Sequence, residues 1–106
     1  MFRYALLSML AGCGWSERRF EAVGIQDLCD AASACAGTYD AATCVDLVRT
    51  TDRSGCAYDE KAAGDCMDAL PDAACVDQDP FELKALAIPD RCYQAWDCDW
   101  LDLAAF

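Results

Sequence analysis

Apolar residues in this chain recur with the period of a helix. Ile25, Leu28, Cys29, Ala32, Cys35 and Ala36 fall at i, i+3, i+4, i+7, i+10 and i+11. That spacing gathers them within an arc of about 120° on one helix face. Gly37 follows as a C-terminal stop. A second helix is expected from Asp40, a good N-cap, with Ala41, Cys44, Val45 and Val48 on its apolar face. A third is expected from Asp59, carrying Ala63, Cys66, Met67 and Leu70 and ended by Pro71. Asp79-Pro80-Phe81-Glu82 combines a capping Asp, a Pro at the first helical position and a Glu at the third. It predicts a helix to about Ile88, stopped by Pro89. The segment Asp90 to Leu101 reads as one more helix, carrying Cys92 and Cys98. Strict alternation never lasts and β-branched residues are scattered, so no strand is expected. Thr50 to Gly55 and Pro71 to Pro80 are the turn-rich stretches. The expected fold class is all-α, a small bundle of four to five short helices.

The second and third helices align as a degenerate repeat. Ala41-Ala42-Thr43-Cys44-Val45-Asp46-Leu47-Val48 matches Ala63-Gly64-Asp65-Cys66-Met67-Asp68-Ala69-Leu70. Tyr39-Asp40 and Tyr58-Asp59 precede them, and Cys35 and Cys56 stand upstream of the helical cysteines at similar distances. Chance similarity between two Ala-rich amphipathic helices explains the match equally well. Two copies do not make a solenoid.

The cysteines change the picture most. There are nine in 106 residues. Cys29, Cys35, Cys44, Cys56, Cys66, Cys75, Cys92 and Cys98 are expected to form four disulfides, and Cys13 is left over. A domain this small buries a modest core and relies on such staples. Metal ligation is the competing use of thiols, but the chain has no histidine and no Cys-x-x-Cys pair. Cys29 and Cys35 share a helix and lie about 9 Å apart along it, too far to bridge, and Cys92 with Cys98 repeats that spacing. Eight cysteines allow about 105 pairings, and the sequence does not choose among the rest.

Cys13 has a setting of its own. Met1-Phe2-Arg3 and the short apolar run Tyr4 to Leu10 lead into Leu10-Ala11-Gly12-Cys13. This resembles the lipobox of bacterial lipoproteins. The resemblance implies that residues 1–12 are a signal peptide removed on export and that Cys13 becomes a lipid-bearing N-terminus. Two or three acyl chains would anchor the protein stably, at about 0.8 kcal/mol per buried methylene. Gly14, where an Asp would favour inner-membrane retention, leans toward the outer membrane. Gly14 to Phe20 is polar and charged, so residues 13–20 read as a lipidated tether and 21–106 as a single cysteine-rich helical domain. The whole also resembles, in style, the small Ala- and Cys-rich lipoproteins of myxobacteria and related GC-rich bacteria. That resemblance implies compartment and fold class but no mechanism.

Charge and residue types then exclude functions. The chain has 19 acidic and 8 basic residues, and loss of Arg3 with the signal brings the net charge to −12. Phosphate backbones repel such a surface, which excludes nucleic acid as a partner. A basic protein would suit it. Without histidine, Ser-His and Cys-His nucleophiles cannot be built. Asp97, Asp99 and Asp102 read as a solvated face, and Asp77-x-Asp79 lacks the Gly and distal Glu of a calcium loop. Trp96 and Trp100 read as a core or inter-helix contact. The expectation is a non-enzymatic envelope lipoprotein without cofactor or metal, with a structural or partner-binding role. The alternative is a secreted or surface effector or inhibitor that binds a basic protein.

Overall fold

Ser16 caps the first helix, its hydroxyl oxygen accepting the Arg19 backbone N–H at 3.1 Å. A computed structural model of the chain describes residues 14–36, 40–78 and 83–101. Helix α1 (Glu17–Arg19) passes through a π-helical stretch, Phe20–Gly24, into α2 (Ile25–Ala36). In the π turn the Ile25 N–H bonds to the Phe20 carbonyl. The Phe20 ring lies against Gly24, where an added Cβ would stand 2.5 Å from it. Only glycine leaves room for that ring.

Aspartate caps start the next two helices, as the sequence predicts. Asp40 Oδ1 accepts the Thr43 N–H at 2.7 Å and opens α3 (Ala41–Arg49). Asp59 Oδ1 accepts the Ala62 N–H at 3.0 Å and opens α4 (Glu60–Ala69). The bond to Thr43 holds the Asp40 carboxyl below its ordinary pKa. Pro71 ends α4 through a 3-10 turn, Leu70–Asp72. The chain then forms strand β1 (Cys75–Gln78), strand β2 (Leu83–Leu86) and the one-turn helix α5 (Asp90–Tyr93).

Four expectations are corrected here. The protein is mainly helical but not all-α: β1 and β2 pair antiparallel, with Cys75 opposite Leu86 and Gln78 opposite Leu83. Leu83 to Leu86, expected inside a helix, is instead extended and packs against α2. Asp79-Pro80-Phe81-Glu82 and Gly37 lie outside the described residues. The last helix stops at Tyr93 rather than continuing to Leu101. Trp96 instead bridges Tyr58, with the Asp59 N–H on the Ala95 carbonyl at 2.8 Å and the Asp97 N–H on the Ala57 carbonyl at 3.0 Å. Lastly, Gly14 to Phe20 is not a polar tether. Ser16 caps a helix there, and Phe20 is fully buried.

The core joins the helix faces read from the sequence to an aromatic group. Ile25, Leu28, Cys29, Cys44, Val45, Val48, Ala63, Cys66, Met67 and Leu70 are buried. Phe20, Trp96 and Trp100 fill the centre with them. Two bridges run through this core. Cys29–Cys44 ties α2 to α3, and Cys66–Cys92 ties α4 to α5. Cys35–Cys75 ties α2 to β1, and Cys56–Cys98 ties the approach to α4 to the segment after Trp96. Cα separations of 4.6 to 5.7 Å suit unforced bridges. The two capped helices share a buried cysteine, yet Cys44 pairs backward and Cys66 pairs forward. They are alike locally but not joined alike.

Candidate functional site

Gly14 and Trp15 are clamped to the rest of the domain. The Gly14 carbonyl accepts the Arg19 side chain at 3.3 Å. Gly14 has φ +135°, and a Cβ there would meet the Glu60 carboxylate at 2.3 Å. The positive φ would strain a side chain at this position, while the exposed, flexible Glu60 side chain could move aside. The Tyr58 hydroxyl donates to the Trp15 carbonyl. The Arg19 guanidinium lies 3.8 Å over the Trp15 ring, and that ring meets Phe20 edge-on at 6.4 Å. Charge and aromatic packing together fix the segment.

Behind the clamp, rings and ions interlock. Phe20 lies 5.5 Å from Trp96 and 5.9 Å from Trp100, and the two indoles are edge-on at 4.8 Å. Trp96 Nε1 donates to Glu17 Oε2 at 2.8 Å, across 79 residues of sequence. Arg53 lies 4.5 Å over the Trp96 ring and pairs with Glu21 at 2.7 Å. Arg49 donates to the carbonyls of Glu21 and Ala22. Burial pushes the Tyr58 hydroxyl well above the ordinary phenol range, and the carboxylates of Glu60, Glu17, Asp59 and Glu21 push the same way. Tyr58 therefore stays a neutral donor. On α4, the hydrogen bond from Arg91 holds Asp65 below the usual carboxylate range and braces α5 beside Cys66–Cys92.

One side of the domain carries an open cleft of about 480 Å³. Asp27, Asp30, Ala31 and Ala34 of α2 form one wall. Met67, Leu70, Pro71, Ala73, Leu86, Trp15 and the Cys35–Cys75 bridge complete the lining. Among the described residues its lining holds no basic side chain.

The structure brings the expected site residues together unevenly. All eight cysteines assigned to disulfides pair, and neither Cys29 with Cys35 nor Cys92 with Cys98 does. Cys13 lies outside the described residues. Asp97, read as part of a solvated face, accepts the Ala57 N–H at 2.6 Å. Among the described residues no three Cys, Asp or Glu side chains converge to hold a metal, and no helix is long and apolar enough to cross a membrane. The sequence reading missed the clamp and the cleft. Ser16 as an N-cap before Glu17 was the available signal for the first; the second depends on how α2, the Met67–Pro71 turn and β2 meet in space. Comparison with protein-family models, curated proteins and solved structures finds no match.

Proposed function

We propose that this chain is a non-enzymatic lipoprotein of a bacterial cell envelope, anchored through Cys13 to the outer membrane and acting in structure or partner binding. The parity of the cysteines carries the reading. The four bridges use all eight cysteines after the lipobox, so the chain offers the Cys13 thiol no partner. Four disulfides also call for an oxidising compartment, which suits an exported protein. The clamp gives the anchor a mechanical meaning. Three residue steps lead from Cys13 to the cap at Ser16, a reach of about 10 Å, and Gly14 and Trp15 are held by the domain itself. A lipid on Cys13 would hold the domain at the bilayer surface with little freedom to swing away. Metabolic labelling with a palmitate analogue should mark the wild type and not Cys13→Ser. Label that survives the substitution overturns the anchor.

A second reading is favoured by the acidic surface, with a net charge of −11 for the full chain and two aspartates on the cleft wall. In it the domain is an effector or inhibitor that binds a basic protein. Release of the domain into the medium of intact cells, without lipid, would favour this reading over the anchored one.

A further inference from the structure

We infer that the cleft between α2 and the Met67–Pro71 turn is a docking groove for a peptide segment of a basic partner, one that sets an apolar side chain beside Lys or Arg. This rests on the partner-binding reading above and names its site. The floor is apolar: Met67 and Leu70 are each 8% exposed, and Leu86 stands half-buried beside them. The small Ala31 and Ala34 leave depth for a side chain to enter. Asp27 and Asp30 lie on the α2 wall at i and i+3, both exposed, so a cation held against that wall would meet both carboxylates. Gln26 donates to Asp30 Oδ1 at 3.0 Å, which leaves the other oxygen to accept. No described lining residue is basic.

The charge of the whole chain selects the size of the occupant. Two exposed carboxylates bind a single small cation weakly, because water and salt screen them. A net charge of −11 attracts a polycation over a longer range and adds many such weak terms. The cleft is also open to solvent rather than closed round a small molecule. An extended or helical segment therefore fits the chemistry better than a lone amphiphile.

The test uses the full chain with Cys13→Ser, oxidised and in solution, so that it does not depend on lipidation. A fluorescent amphipathic peptide of Leu and Lys is titrated by anisotropy at two salt concentrations, beside a Leu and Glu peptide and a long-chain alkylammonium. The Leu and Lys peptide should bind, weaken with salt, and shift backbone amide NMR signals at Ala31, Ala34 and Leu86. Asp27→Asn with Asp30→Asn should weaken it about fivefold at low salt. Asp46→Asn, on the exposed face of α3, should leave it nearly unchanged. Ala34→Leu should weaken binding by filling the groove; if that variant is poorly folded, the aspartate pair and the amide map still decide. Equal losses from Asp46→Asn and from the Asp27 and Asp30 pair would reduce the effect to general charge attraction and overturn the site. So would tight alkylammonium binding that the peptide cannot displace, or no peptide binding at all. Palmitate labelling reads the anchor separately, so either claim can fail alone.

Discussion

Replacing Phe20 by alanine separates a docked N-terminal helix from a loose tether more sharply than any other single change. Phe20 is fully buried, with Trp15, Tyr58, Trp96 and Trp100 at centroid distances from 5.5 to 6.4 Å. A buried Phe→Ala change costs about 3–5 kcal/mol in lost transfer energy and residual cavity. The walls here are large rings tied down by other contacts. Trp96 is bonded to Glu17 and covered by Arg53, and Tyr58 is bonded to Trp15, so the cavity cannot collapse easily. The loss of edge-on ring contacts adds to it, at about 0.5–1.5 kcal/mol for a good pair. A total near 4–5 kcal/mol is a large share of the stability of a small domain, which is about 5–15 kcal/mol. With an m-value of about 3 kcal/mol/M, the guanidinium chloride midpoint should fall by about 1.5 M. Trp15, Trp96 and Trp100 report the transition by fluorescence in the oxidised protein. A loss below about 1 kcal/mol would mean that Phe20 does not dock, and that the polar tether expected from the sequence is the true state.

Three further outcomes test separate parts of the structure. Gly24→Ala places a methyl 2.5 Å from the Phe20 ring; overpacking of about 1–3 kcal/mol should exceed the gain in helix propensity of about 1 kcal/mol, so the denaturation midpoint should fall rather than rise. The raised pKa of Tyr58 means that its stabilisation is complete below the unfolded phenol pKa of about 10 and is lost as pH climbs from there toward the folded value. Ultraviolet titration of the native protein should find one of the four tyrosines ionising late, and Tyr58→Phe should remove that step; a late step that survives the substitution contradicts the assignment. Partial reduction followed by alkylation should label Cys35 and Cys75 first, because Cys75 is exposed while Cys29, Cys44, Cys66 and Cys92 are at most 2% exposed; earliest label on the buried pairs would show that the bridges do not lie within the core as described.

The sequence disclosed what short-range chemistry decides. Asp40 and Asp59 cap their helices, and the faces with Leu28, Cys29, Cys44, Val45, Cys66 and Met67 turn inward, because spacing alone sets which side of a helix a residue occupies. Phe20 was hidden by its neighbours. It sits among Glu17, Arg18, Arg19 and Glu21, and its aromatic partners lie up to 80 residues away. The hairpin was hidden too. Leu83 to Leu86 has no alternating pattern, and its extended state follows from pairing with β1 and packing on α2, tertiary contacts that override local preference. The same holds after Tyr93, where burial of Trp96 and Trp100 and the bridge to Tyr58 divert a chain that could have stayed helical. Disulfide parity was legible; connectivity was not, since it depends on where the helices meet. The cleft is lined by residues of α2, the Met67–Pro71 turn and β2, far apart in sequence, and leaves no pattern along the chain.

The central claim joins a stapled domain to an anchor at Cys13, and non-reduced peptide mapping of the protein from membranes reads both at once. The account predicts four cross-linked pairs, Cys29–Cys44, Cys35–Cys75, Cys56–Cys98 and Cys66–Cys92. It also predicts an N-terminal peptide that begins at Cys13, carries the mass of acyl chains and takes part in no bridge. A map with Cys13 in a disulfide, or with Met1 to Gly12 still attached, would contradict it.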